Sequence, residues 1–216
     1  SDANYTGAIT ISSDGNHSIA FHSTDAAGNV SPTKTIYAAV DKTPPTLSGQ
    51  SPAGSSYTTD NTPLIEFDLN GFPSGLITTD LNIFIDGNLV IGDINSSSIS
   101  GGNHYSYQFP YVKADGVIQV QVFNASDKAG NDANASYSFT VDTGPPTSLS
   151  ISLPDFTNTS KPGISVSASD AFGIAKMTFA CTDAGLSSGT EVNYSTSHSD
   201  FNILSGPGCS GGDGTK

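Results

Sequence analysis

The chain has 216 residues and carries 20 acidic side chains against seven lysines and no arginine, a formal net charge of −13. A surface so poor in cations offers little to the phosphate backbone of nucleic acid or to an anionic membrane face, and argues against both as partners. Charged residues make up only 12% while serine and threonine fill 55 positions and glycine 23, so solubility is carried by hydroxyls and amides, a surface that suits extracellular β-proteins.

Residues 1–46 open with a short strand signal, Gly7-Ala-Ile9-Thr-Ile11, and pass into an alternating run that puts Ile19 and Phe21 on one face of a strand. Asp25-Ala-Ala-Gly28-Asn29 then supplies turn chemistry: the carboxylate accepts backbone N–H bonds, and Gly and Asn tolerate positive φ. A facing strand over Ile36 to Val40 completes a hairpin, and Pro44-Pro45 stops the ladder and stiffens the chain into a spacer. About three strands fall where a sandwich needs about seven, so this segment reads as the C-terminal part of a domain plus its linker.

Residues 47–147 read as a complete domain. Pro63 to Leu69, Leu81 to Ile85, Leu89 to Ile91 and Tyr105 to Phe109 are strand runs, separated by turn signals such as Asp86-Gly87-Asn88 and Asp115-Gly116. The closing hairpin follows, with Ile118, Val120 and Val122 on one face, Asp127-Lys-Ala-Gly130-Asn131 at the turn, and Tyr137 to Val141 as the return strand. Residues 148–216 supply front strands only, at Ser148 to Leu153, Gly163 to Ala168, Lys176 to Cys181 and Asp200 to Ile203, and read as the N-terminal part of a further domain.

One sentence is thus written twice: an alternating run, Asp-x-Ala-Gly-Asn, a second alternating run, then Asp41-Lys-Thr-Pro-Pro-Thr46 or Asp142-Thr-Gly-Pro-Pro-Thr147. An internal repeat outranks any single residue as a guide to architecture. These motifs resemble the last hairpin and linker of the bacterial and archaeal immunoglobulin-like, hyalin-repeat-like modules of long surface proteins, and Ala168-Ser-Asp170-Ala-Phe-Gly173-Ile174 resembles an early strand of the same module. The resemblance implies an all-β protein of tandem immunoglobulin-like β-sandwiches, one complete and two partial. It implies no chemistry.

The two partial ends are complementary in content. Two explanations stand side by side: a slice of a longer head-to-tail array, or a polymer in which the C-terminal part of one subunit is completed by the N-terminal hairpin of the next. The expected partners are accordingly neighbouring immunoglobulin-like domains or copies of the chain itself.

Candidate sites are few. Cys181 and Cys209, with no zinc-type histidine spacing beside them, read as a disulfide and favour an oxidising compartment. Calcium is the candidate cofactor, with Asp25, Asn29, Asp41, Asp127, Asn131 and Asp142 as hard oxygen donors expected together at one end of each domain; the competing expectation is that these carboxylates only cap the turn amides. Asn4, Asn16, Asn29, Asn95, Asn124, Asn134, Asn158 and Asn193 begin N-glycosylation sequons, eight of 15 asparagines. Catalysis has little support, since His17, His22, His104 and His198 sit in no recognised motif, and a serine near His22 and Asp25 is a cheap coincidence in so serine-rich a chain. Tyr105, Tyr107, Phe109 and Tyr111 alternate as a sandwich core would; the other expectation is a sugar-stacking strip.

No apolar run approaches the ~18 residues of a membrane span, and the N-terminus lacks a signal-peptide pattern, so any export signal or anchor is expected outside this segment. The expectation is a non-catalytic extracellular or cell-surface module: a stalk, adhesin shaft, surface-layer component or filament subunit. The alternatives are an adhesin module that binds a glycan or surface protein through end loops, and an accessory domain of a secreted hydrolase whose catalytic part lies elsewhere.

Overall fold

The computed structural model describes residues 7–189 and 191–210, and nearly all of its regular structure is β. Two compact units are present, Ser1–Thr143 and Gly144–Lys216.

The first unit begins with a hairpin of β1 (Gly15–Phe21) and β2 (Lys34–Val40), in register from Gly15↔Val40 to Phe21↔Lys34. Gly15 takes a φ of +125°, where a glycine is needed to start the strand behind Asp14. The expected strand over Gly7 to Ile11 does not form. No edge of the hairpin pairs with it, and Ile9 remains 59% exposed.

The sandwich follows in β3 (Thr46–Ser51), β4 (Tyr57–Thr58), β5 (Leu64–Asn70), β6 (Leu76–Ile77), β7 (Asn82–Ile85), β8 (Asn88–Leu89), β9 (Asn95–Ile99), β10 (Gly102–Gln108), β11 (Gly116–Asp127) and β12 (Asp132–Val141). One sheet has the order β3-β5-β10-β9; the other runs β4-β12-β11-β7-β8, with β6 also on β11. This is the strand order of an immunoglobulin-like sandwich, with β11 and β12 as its last hairpin.

Period-two alternation explains the core. Ile65, Phe67 and Leu69 of β5 face Val120, Val122, Phe139 and Val141 of the last hairpin, each at most 1% exposed. Burying each such side chain is worth about 1.5–3 kcal/mol, which is why the polar residues between them turn outward. Tyr105 stacks on Phe67 with centroids 5.5 Å apart, and Tyr107 meets Phe109 edge-on at 5.4 Å. Of the four alternating aromatics, Tyr105 and Phe109 are buried, Tyr107 packs against the core and Tyr111 is exposed, so the stripe is mostly core.

The second unit contains β13 (Thr147–Ser152), β14 (Ile164–Ser169), β15 (Lys176–Thr178), α1 (Asp183–Leu186), β16 (Glu191–Asn193) and β17 (Ser197–His198). Its sheets are β13-β14-β17 and β15-β16. β13 and β14 pair as β3 and β5 do, and each pair carries a bulge, the register shifting between Ser48 and Ser51 in the first and between Thr147 and Ser150 in the second. Ser148 at that bulge has positive φ, as has Gly49.

Two strand expectations shrink here. The Lys176 to Cys181 run is a strand only to Thr178, and Asp200 to Ile203 forms no strand, running irregularly into a turn that opens at Ile203. In that turn Asn202 Oδ1 accepts from Leu204 N, Asn202 O accepts from Gly206 N, and Ile203 N donates to Ser160 O, so the backbone is occupied elsewhere.

Candidate functional site

The repeated turn is built the same way in both copies. Asp25 Oδ1 accepts from Ala27 N at 2.9 Å and Asn29 N at 2.8 Å, while its Oδ2 accepts from Asn29 Nδ2 at 2.9 Å. Asp127 Oδ1 accepts from Ala129 N at 2.9 Å and Asn131 N at 3.0 Å, and its Oδ2 from Asn131 Nδ2 at 2.8 Å. The carboxylate therefore folds the turn, and the asparagine amide closes it.

What differs is the neighbour. Asp25 is exposed, whereas Asp127 is 1% exposed because the linker ahead of the sandwich lies against its turn. Asn131 Nδ2 also donates to the carbonyl of Asp41 at 3.1 Å, and Asp41 Oδ2 accepts from Ser74 N at 2.9 Å. Asp41 Oδ1 meanwhile accepts from Thr43 N at 3.0 Å, so one linker residue binds its own chain direction and two loops of the sandwich. The Ser74 hydroxyl is buried beside this carboxylate without the geometry of a formed hydrogen bond. Asp41 is held below the usual carboxylate range, first by the Ser74 side chain and further by the N–H groups of Thr43 and Ser74.

A second carboxylate ties each linker to the head of the hairpin it leaves. Asp14 Oδ1 accepts from Lys42 N at 3.1 Å and its Oδ2 from Thr43 Oγ1 at 2.7 Å. Asp115 Oδ1 accepts from Thr143 N at 3.0 Å and Thr143 Oγ1 at 2.8 Å. Sequence reasoning took Asp115-Gly116 only as a turn signal; the Asp-Gly…Asp spacing shared by the two repeats, with Thr43 two residues past Asp41 and Thr143 one residue past Asp142, was the sign of this contact.

The six calcium-candidate residues are not gathered at one end of each domain. A hairpin's turn and its exit lie at opposite ends, so Asp127 and Asp142 are separated by the full length of β12, roughly 30 Å at ~3.3 Å per residue, and Asp25 is likewise remote from Asp41. Asp41, Asp127 and Asn131 do converge, across the junction between one repeat's linker and the next repeat's turn. There Asp127 accepts three N–H bonds and Asn131 presents its amide nitrogen. Among the described residues no group of three or more His, Cys, Asp or Glu side chains surrounds one point.

Cys181 and Cys209 form a disulfide that closes a separation of 28 residues, worth about 3–4 kcal/mol in the chain-entropy account. Seven of the sequon asparagines, Asn16, Asn29, Asn95, Asn124, Asn134, Asn158 and Asn193, are exposed; Asn4 lies outside the described residues. Of the histidines, His17 bonds Ser13 O and His198 bonds Ser195 O, while His104 pairs with Asp68 and Glu66. Both carboxylate oxygens of Asp25 are held within its own turn. Among the described residues no helix is long and apolar enough to cross a membrane.

No protein-family model matches the chain, and no curated protein matches it in sequence. What fold and site define together is a class: a disulfide-bonded all-β protein with an immunoglobulin-like sandwich, gripped at one end by the linker that leads into it.

Proposed function

We propose that this chain is a non-catalytic structural module of an extracellular array, a link of a stalk, shaft, surface layer or filament that carries load along its length. The observation that carries this reading is the parallel pair β4–β12. Ser55 N donates to Ser138 O at 2.7 Å, Thr140 N to Ser56 O at 2.9 Å and Asp142 N to Thr58 O at 2.9 Å. Because the two segments run in the same direction, a pull on opposite ends of the sandwich shears these bonds together, whereas a pull on an antiparallel edge pair opens bonds one at a time. Shared loading raises the force needed to start unfolding.

Other features support the same reading. The Asp41 grip turns a short proline spacer into a fixed joint, the disulfide favours an oxidising compartment, and exposed sequons fit a secreted surface. Stretching single chains from end to end tests it. The wild type should show one high-force rupture for the sandwich, and Thr140→Pro, which deletes the central shear bond, should lower that force at least about twofold in accord with its loss of a ladder donor. Ser97→Pro on the edge strand β9 serves as control and should leave the force unchanged. A rupture force equal in wild type and Thr140→Pro would remove the basis of the proposal.

A further inference from the structure

On the outer face of the sheet β3-β5-β10-β9, cross-strand register puts Asp68 beside His104 and His104 beside Ser97 in one row, with Glu66 beside Ser106 in the next. The inward residues between them, Ile65, Phe67, Leu69 and Tyr105, are at most 2% exposed, so the core holds the strands that carry this cluster. Those four strands contain no lysine or arginine. The imidazole is therefore the one group on them that can answer the charge of Glu66 and Asp68.

His104 uses its two ring nitrogens differently. Nδ1 lies 2.7 Å from Asp68 Oδ1, and an ionised carboxylate only accepts, so the proton of the neutral ring sits on Nδ1 and is donated to Asp68. Nε2 then carries a lone pair and faces Glu66 Oε1 at 3.6 Å. That distance is beyond a hydrogen bond, and two electron-pair donors face each other across it with no proton between them. In a tetrahedral zinc site, bonds of about 2.0–2.1 Å set neighbouring ligand atoms about 3.3–3.4 Å apart. The gap matches that span to within a few tenths of an ångström. A carboxylate on the far N–H is also what orients a metal-bound imidazole, fixing its tautomer and raising its basicity.

We propose that His104 Nε2 and Glu66 Oε1 bind a divalent ion of the zinc class, with Asp68 as the positioning residue that holds the ring and its proton. An imidazole ligand selects such an ion over calcium or magnesium, which take oxygen ligands. Asp68 meets the other ring nitrogen and not the ion, so the protein supplies two ligands and water the rest. The site is accordingly weak, with a Kd between ~1 µM and ~1 mM. Glu66 belongs to β5 and His104 to β10, so the ion clips two neighbouring strands across the outside of the sandwich. Metal binding here requires nothing of the load path through β4 and β12, and the two readings fail separately.

The test is a zinc titration of the full chain, read by the NMR signals of the histidine rings at a pH well above 6.5, where the proton no longer competes for Nε2. His104 Nε2 should shift saturably while Nδ1 keeps its proton. Calcium at the same concentrations should leave Nε2 in place. Glu66→Gln should weaken zinc binding at least about tenfold, as the loss of a charged ligand does. Asp68→Ala should weaken it by about 10–100-fold, the usual cost of losing the group behind a metal-bound histidine, and Asp68→Asn, which keeps an oxygen to accept from Nδ1, should restore part of that loss. The side chains are each about one-third exposed, so the variants keep the fold, which circular dichroism checks. A His104 Nε2 signal in the wild type that zinc does not move overturns the proposal. So does calcium moving it as zinc does, or Glu66→Gln binding zinc as tightly as the wild type.

Discussion

His104 stands between two carboxylates on the outer face of β5 and β10, its Nδ1 2.7 Å from Asp68 Oδ1 and its Nε2 3.6 Å from Glu66 Oε1. Asp68 first, by hydrogen bond and charge, and then Glu66 raise its pKa above the ordinary 6.5. A raised folded-state pKa means that its contribution to stability is complete below 6.5 and is lost as the pH climbs through the higher folded value. The His104 ring signals in an NMR titration should therefore show a midpoint above 6.5, and Asp68→Asn should bring it back down. Side chains about one-third exposed make this a small effect, and an unshifted midpoint would contradict it. Tyr137 offers the opposite case. Its hydroxyl is buried without a hydrogen-bond partner, and burial pushes its pKa up. Removing an unsatisfied buried hydroxyl is favourable, so Tyr137→Phe should stabilise the sandwich by about 1 kcal/mol in chemical denaturation, whereas a loss of similar size would show that the hydroxyl has a partner.

At the scale of elements, the hairpins were legible because their signals are local. Alternation set the strands, and Asp-x-x-Gly-Asn set the turn with three bonds spanning no more than four residues. What the turn would meet was not legible. Ser74 reaches Asp41 from 33 residues away, out of a loop with no motif, and the donors were expected at one end of a domain because antiparallel direction was not followed through. Asp200-Phe-Asn-Ile203 shows the limit of alternation itself: it has the period of a strand, but side-chain and loop bonds claim its backbone first. The junction makes its own prediction. Asp41 has a lowered pKa, so its hold on Ser74 is present above its ordinary value of 3.8 and is released as the pH falls through the lower folded value. The Ser74 amide signal should follow that acid transition. The same signal should stay fixed during a calcium titration, because N–H donors already occupy the Asp127 carboxylate; a saturable shift would instead place a cation between Asp41 and Asp127.

For the whole molecule, two ties act on the linkers: a carboxylate holds each to the hairpin it leaves, and the first linker's own aspartate holds it to the sandwich it enters. The first tie is present in both repeats, through Asp14 and Thr43 and through Asp115 and Thr143. The second is present where Asp41 meets Asn131 and Ser74. Charge and composition, readable at once, gave the surface and not this geometry, because a fixed joint depends on single hydrogen bonds between distant residues. The most direct measurement of that joint is the distance distribution between spin labels at Ser18 on the hairpin and Ser97 on the sandwich, both exposed. The account predicts one narrow peak in the wild type and a broad distribution in Asn131→Ala combined with Asp41→Ala. A wild type as broad as the variant would contradict it, for the linker would then be a flexible tether and not a joint.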